Sequence, residues 1–213
     1  MKYVVVMMLF VGLYGPTSVL GQRFHAGIKG GLVASEISGD NLAGPNKLGA
    51  YGSVYTFTEI SEYSLLQLEI MYIQKGSRSV PLERNNFNEY MLSLQYVEVP
   101  VLWISNIARY TDLRYIERLW FHAGLSFSAL VGHYEQDEGG ADVSDSERGD
   151  DFNSAELNLI LGFSYPLISN LDFVFGFSNS LTPARPHVSG ATRWYNRGQY
   201  HTLWTFGLSY ILW

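Results

Sequence analysis

The fold is decided by the stretch YHTLWTFGLSYILW, residues 200–213. Large apolar side chains occupy every second position except Thr202: Tyr200, Trp204, Phe206, Leu208, Tyr210 and Leu212. The alternate positions begin smaller or more polar: His201, Thr205, Gly207 and Ser209. A period of two places these sets on opposite faces of a β-strand. Such an aromatic face promotes aggregation in water, whereas in a transmembrane β-barrel it meets lipid.

The composition favours an all-β protein. Of 213 residues, 16% are charged and 15% aromatic, and 21 are Gly, which suits strands joined by many turns. A formal net charge of -6 gives no basic surface for nucleic acid. The sequence has no Cys. This excludes disulfides, thiolate metal sites, a Cys nucleophile and a Cys-linked lipid anchor.

Residues 1–21 are predicted to be a signal peptide, and residues 22–213 an outer-membrane β-barrel domain. Lys2 is the only charge before an apolar run over residues 3–14, which Gly15 and Pro16 end. Residues 19–21 suit a cleavage site, so the mature chain would start at Gln22. A membrane anchor is the less favoured alternative, because the apolar run is shorter than the roughly 20 residues of a spanning helix.

Alternating patterns like that of residues 200–213 predict eight strands. In the fifth, the apolar set is Leu119, Phe121, Ala123, Leu125, Phe127, Ala129 and Val131. Connections after strands one, three, five and seven are long, and those after two and six are short. The connection at residues 104–118, after strand four, is an exception to this alternation, because it is too long for a simple periplasmic turn. The sequence therefore predicts an eight-stranded antiparallel up-and-down transmembrane β-barrel with both termini in the periplasm.

The fourth strand is predicted to contain a bulge. Leu92, Leu94 and Tyr96 are assigned to the lipid face, but Val97 and the apolar residues after it continue one position out of step. An extra residue near Tyr96 would restore the phase, and Pro100 suits a bulge or a strand end.

The face opposite the aromatic one carries polar and charged residues: Lys29, Glu69, His122, Glu156, Asn158 and Asp172. A soluble lipocalin-like barrel has the same number of strands but an apolar interior. Unpaired polar groups would be costly in an apolar cavity, whereas they can line a polar lumen. This pattern and the signal peptide favour the membrane barrel.

Four segments occur in an order that resembles a known family: GIKGGL at residues 27–32, LEIMYIQKGS at 68–77, YVEVPVL at 96–102 and GLSY at 207–210. They are similar to the PorT-type outer-membrane β-barrel family of Bacteroidetes. The resemblance covers most of the mature chain. It implies an eight-stranded outer-membrane barrel. The founding member is associated with type IX secretion, and most relatives are called porin-like. The resemblance supplies no catalytic residues.

A barrel of eight strands has an interior just wide enough for side chains to fill. Charged groups there are expected to form an ion-paired polar network, predicted at Lys29, Glu69, Glu98, His122, Glu156 and Asp172. The sequence therefore predicts a non-enzymatic barrel with a plugged or narrow lumen and a structural, assembly or secretion-associated role. A narrow porin-like channel for small solutes is the first alternative.

An outer-membrane lipid-modifying enzyme is the second alternative. Ser126, His122, Glu156 and His201 are predicted to face inward and supply the residue types of a hydrolase or acyltransferase. No G-x-S-x-G element accompanies them, and polar lumens commonly contain Ser and His. The five His residues show no paired ligand spacing, so no metal site and no cofactor are predicted.

Two loops carry further expectations. The acidic loop, placed at residues 133–151 with Glu135 as its first carboxylate, offers Ca²⁺ ligands but lacks the EF-hand spacing. A solvated external loop is therefore favoured. The segment RWYNR, residues 193–197, suits either contact with a partner or an interfacial aromatic girdle. The expected partners are outer-membrane lipid and secretion-system or surface-polysaccharide components, and no nucleic acid.

Overall fold

The chain forms a closed antiparallel β-barrel in a computed structural model that describes residues 23–38, 44–81, 83, 87, 89–110, 116–136, 152–185 and 198–212. Its strands are β1 (Phe24–Ser38), β2 (Lys47–Ser61), β3 (Ser64–Arg78), β4 (Met91–Asn106), β5 (Trp120–Gln136), β6 (Ala155–Ile168), β7 (Leu171–Ser180) and β8 (Tyr200–Ile211). Each strand pairs with its neighbours in sequence, and β1 pairs with β8 to close the sheet. The predicted fold class is confirmed. The predicted signal peptide lies outside the described residues.

The last strand closes the barrel and presents its large side chains outward, as predicted. Its register against β1 runs from Gly27 opposite Ile211 to Ser38 opposite Tyr200. Phe206, Leu208 and Tyr210 are each 44–48% exposed. Aromatic rings continue this face onto the neighbouring strands, because the Phe175 ring lies 5.1 Å from both Phe163 and Phe206. Trp213 lies outside the described residues.

The two ends of the barrel differ in their connections. Residues 62–63 and 169–170 form the short turns after β2 and β6. The longer connection after β4 starts with a 3-10 helix, Ile107–Tyr110, and lies at the same end. We call this the turn end. The connections after β1, β3, β5 and β7 lie at the opposite end, called the loop end. Among the residues that the structure describes, no helix is long and apolar enough to cross a membrane.

The predicted bulge exists, but it lies on β5 and not on β4. Gln95 pairs with Gly132 while Tyr96 pairs with Leu130, so Val131 is the extra residue. The face of β4 does not change along its length. Leu92, Leu94 and Tyr96 are buried inside the barrel, with at most 2% exposure, whereas the valines from position 97 onward and Trp103 face outward. The assignment of Leu92, Leu94 and Tyr96 to the lipid face was wrong, because the loop half of the lumen is itself apolar.

Glycines on β1 and β8 leave room for two large side chains from β2. The Tyr55 ring occupies the space that a Cβ at Gly27 would need, and its hydroxyl lies 2.7 Å from Ser209 Oγ. The Tyr51 hydroxyl fills the corresponding space at Gly207. The lumen is therefore filled from β2 across to β8, which positions the polar groups described next.

Candidate functional site

An apolar cluster fills the loop half of the lumen. Its buried members come from β1, β2, β3, β4 and β8: Val33, Ile37, Tyr51, Met71, Ile73, Leu92, Leu94, Tyr96 and Leu203. Leu130 on β5 and Phe152 pack against it. These side chains come from five of the eight strands and pack together in the interior of this half.

A charged cluster adjoins the apolar one and shares Tyr96 with it. Lys75 on β3 is fully buried and contacts Glu98 on β4, and its Nζ lies 3.5 Å from Glu156 Oε2 on β6. The Tyr96 hydroxyl donates to Glu156 Oε1 over 2.6 Å. His201 Nδ1 lies 2.9 Å from the same oxygen. We call these five residues the Lys75 cluster. It joins four strands across the lumen.

Hydrogen bonds hold Glu98 in its place within the Lys75 cluster. Its carboxylate accepts from Ser128 Oγ at 2.7 Å and from Ser126 Oγ at 3.3 Å. Asn158 Nδ2 donates to the same two hydroxyls, at 2.7 Å and 3.1 Å. Buried charges are stable only with such compensation. These contacts join β4, β5 and β6 on the side of the apolar cluster that faces the turn end.

A separate ion pair lies nearer the turn end. Lys29 Nζ is 2.5 Å from Glu69 Oε1. Glu69 also accepts from Ser53 Oγ at 3.1 Å and from Gln67 Nε2 at 2.5 Å. The Lys29 ammonium further lies 5.5 Å from the centroid of the Tyr55 ring. Every strong donor around Glu69 is thus an inward side chain of β1, β2 or β3.

The six predicted lumen residues do not form one network, and four of them fall into two groups. Glu98 and Glu156 belong to the Lys75 cluster, and Lys29 and Glu69 form the second pair. His122 instead has its Nε2 2.9 Å from Ser164 Oγ. Within the described part of the chain, no Lys, Arg or His lies within ion-pair distance of Asp172.

Lys75 and Tyr96 are the central residues that the sequence reasoning missed. Lys75 has the same parity as Glu69 on β3, so the alternation places it inward, but it was not included in the predicted polar network. Tyr96 was assigned to lipid. The Lys75 Nζ lies 4.7 Å from the centroid of the Tyr96 ring. A cation and an aromatic ring at this distance attract each other.

Glu135 was expected in a solvated external loop, and this expectation was wrong. It is the last buried residue of β5, with 3% exposure. Its carboxylate accepts from Tyr90 Oη at 2.7 Å and pairs with Arg185 at 3.2 Å. The other carboxylates of the acidic loop, and the segment at residues 193–197, lie outside the described residues.

The residues of the proposed lipid enzyme do not come together. Ser126 contacts Glu98 and Asn158, whereas His122 contacts Ser164. Glu156 lies with His201 in the Lys75 cluster. Within the described ranges, no group of three or more His, Asp or Glu side chains is arranged to hold a metal ion.

A cavity of about 280 Å³ occupies the turn half of the lumen. Aromatic side chains of β2 and β5 form part of its wall, namely Tyr55, Phe57 and Trp120. Asp172 and Glu59 are its carboxylates that have no ion-pair partner among the described residues. A smaller space of about 60 Å³ lies deeper in the lumen. The barrel is thus filled toward the loop end and hollow toward the turn end.

Comparison with known proteins identifies the family. The sequence profile described as "Outer membrane protein beta-barrel domain" matches residues 16–183. No curated protein sequence matches the chain.

Three solved structures are similar in fold. Ail, the attachment invasion locus protein of Yersinia pestis, is 12% identical with a TM-score of 0.47, covering 89% of this chain and 99% of Ail. Neisserial surface protein A is 13% identical with a TM-score of 0.45, over 89% and 98% of the two chains. CarO of Acinetobacter baumannii is 10% identical with a TM-score of 0.45, over 87% and 96%. On the family match and the closed eight-stranded barrel, this chain belongs to the outer membrane protein beta-barrel domain family and is a protein of the outer membrane.

Proposed function

We propose that this protein is a closed, non-enzymatic barrel with a structural, assembly or secretion-associated role in the outer membrane. The observation that carries the proposal is the Lys75 cluster. Lys75 and Glu156 have no exposed side-chain surface, although both are charged residues inside a membrane-spanning barrel. Buried side chains of four strands meet there, so the lumen is occupied at this level.

A diffusing solute would have to break the Lys75 cluster. Separating Lys75 from Glu98 and Glu156 would leave buried charges without partners, which costs about 3–5 kcal/mol for a broken buried pair. The apolar cluster adds a second barrier, because hydrophobic constrictions exclude water and ions. These two barriers favour a closed barrel over the narrow porin-like channel.

A flux assay distinguishes the closed barrel from the channel. Liposomes containing the refolded protein are diluted into an osmotically matched solution of arabinose, and swelling is followed by light scattering. We expect the same rate as with protein-free liposomes. Swelling above the protein-free rate would favour the channel.

We propose a PorT-type, secretion-associated role within this family on the four segments of residues 27–32, 68–77, 96–102 and 207–210. Secretion-system components and surface polysaccharide are the proposed partners. Outer-membrane lipid is proposed to surround the exposed apolar side chains of the strands, such as Leu125, Phe127, Phe206 and Leu208, which we call the apolar belt. Purification of the tagged protein from its own membranes in a mild detergent tests the association. Specific co-purification of secretion components supports it, whereas a clean monomer contradicts it.

The non-enzymatic role is supported by the separation of Ser126 from His122. Nucleophilic catalysis needs the nucleophile and its base within hydrogen-bond reach. We expect host cells that carry the wild-type protein and host cells that carry the Ser126→Ala/His122→Ala variant to give the same lipid A mass spectrum. A mass change that depends on these two residues would revive the lipid-modifying enzyme.

A further inference from the structure

The cavity at the turn end has a wall suited to an organic cation. Because short turns and chain termini of such barrels lie on the periplasmic side, this cavity faces the periplasm. The Phe57 ring stacks on His25 at 5.0 Å and on Tyr55 at 6.2 Å. The Tyr55 hydroxyl is held by Ser209. These contacts fix two aromatic rings of the wall before any ligand arrives.

The charge of the cavity is negative. Lys29 lines it, but its ammonium is already paired with Glu69 at 2.5 Å. Asp172 faces the cavity, and no cation among the described residues pairs with it. Glu59 adds a second carboxylate at the exposed end of β2. A ligand that enters therefore meets carboxylates whose charge is not neutralised by the wall.

Asp172 lies at the same level of the barrel as the Lys29–Glu69 pair. It pairs in register with Ser209, and Ser209 pairs with Lys29 on the next strand, so the carboxylate lies in the row of the Lys29 pair. Aromatic faces attract cations, and carboxylates supply the opposite charge. A volume of about 280 Å³ is at the low end for ligand pockets, which restricts the ligand to a small molecule.

We propose that this cavity binds a small organic cation from the periplasm, with its ammonium group beside Asp172 and its apolar part against Tyr55, Phe57 and Trp120. This inference goes beyond the closed-barrel role. Binding takes place on the periplasmic side of the Lys75 cluster and requires no passage through it. The flux assay tests the closed barrel and a binding assay tests this site, so either proposal can fail while the other holds.

Choline and its uncharged isostere 3,3-dimethyl-1-butanol are suitable probes, because they share a shape and differ in charge. Each is titrated into the refolded full chain in detergent micelles, and binding is followed by NMR shifts of the tryptophan indole groups. We expect saturable binding of choline, with at least about tenfold weaker binding of the alcohol, since the attraction to the carboxylate and the rings requires charge.

Variants assign the site. Asp172→Asn keeps the shape of the side chain and should weaken choline binding at least about tenfold. Trp120→Leu should weaken it severalfold. Glu89→Gln is the matched control, because Glu89 is an exposed carboxylate paired with Arg78 near the loop end, and it should bind as the wild type does.

Folding of each variant is checked by its heat-modifiable mobility on a gel. Absence of saturable choline binding to the wild type would overturn the proposal. Equal affinity for the alcohol, or an unchanged affinity in both Asp172→Asn and Trp120→Leu, would also overturn it.

Discussion

Lys75 on β3 and Glu156 on β6 meet across the lumen, with Nζ 3.5 Å from Oε2. Two strands, β4 and β5, separate them in the sheet. The contact can therefore form only through the interior. Glu98 lies between them on β4 and contacts the same ammonium. This contact joins opposite parts of the barrel wall through the interior, and it predicts how the stability of the protein responds to substitution.

Lys75→Met should destabilise the barrel by about 3–5 kcal/mol, because it leaves Glu98 and Glu156 buried without a cation. Guanidine unfolding of the refolded protein in lipid vesicles measures the free energy. Arg78→Met is the control on the same strand. Its pair with Glu89 is exposed at 45% and 49%, so we expect a change of at most about 1 kcal/mol. Similar losses in the two variants would contradict the central place given to Lys75.

Tyr96→Phe should lower the free energy of unfolding by about 1.5–3 kcal/mol, because it removes the hydroxyl that donates to the Glu156 carboxylate. Tyr210→Phe is a matched control, since Tyr210 is 44% exposed on the outer face. It should change stability by less than about 0.5 kcal/mol. If Tyr96→Phe is as mild as the control, the hydroxyl does not support the Lys75 cluster.

Gly27→Ala should destabilise the barrel by about 1–3 kcal/mol, because the added methyl group would overlap the Tyr55 ring and approach the Tyr210 carbonyl to 2.6 Å. Gly52→Ala tests the alternative that any glycine loss is harmful. A Cβ there meets only the Lys29 carbonyl, at 3.9 Å. We expect Gly52→Ala to be neutral or slightly stabilising in the same unfolding experiment. Equal effects would refute the packing of Tyr55 against β1.

Leu125→Arg should cost about 2–4 kcal/mol, because Leu125 is an outward residue near the middle of the apolar belt on β5. Gln95→Arg, on the outward face of β4 toward the loop end, should cost about 0–1 kcal/mol. Unfolding in vesicles compares the two. A cost that is independent of position would mean that the belt is not where the exposed apolar residues place it.

The alternation of β8 could be read from the sequence because its two faces differ in kind. Trp204, Phe206 and Leu208 meet lipid, while Gly207 and Ser209 face a polar part of the lumen. Hydropathy then reports the face directly. The strand number, the closure and the outer-membrane location followed from this pattern repeated along the chain.

The same rule failed on β4 because at the loop end its inward side chains are the apolar ones, while Ser93 and Gln95 point outward. Leu94 packs inside while Val97 meets lipid, and hydropathy cannot distinguish a packed lumen from a bilayer. The polar Glu98 indicates which face of β4 points into the barrel. Counting back from it in steps of two assigns Tyr96 and Leu94 to the interior without any bulge on β4.

The choice of ion pairs could not be predicted from alternation alone. Lys29 and Glu69 lie on strands that are not adjacent, and they meet because Ser53 stands opposite Lys29 while Tyr55 stands opposite Glu69. That depends on the stagger of the strands around the barrel. Lys75 reaches Glu156 through the same stagger. Alternation predicts which charged side chains point inward. Which of them lie close enough to pair depends on the register of the strands.

Single-channel conductance in planar lipid bilayers tests the closed lumen most directly. The refolded wild-type protein is delivered to the bilayer in lipid vesicles at high salt, and current is recorded at both polarities. Folding is checked by the heat-modifiable mobility of protein recovered from those vesicles. We predict no steady conductance above the bare bilayer, because the Lys75 cluster and the apolar cluster occupy the lumen together. A steady large conductance carried by the wild-type protein would contradict this account.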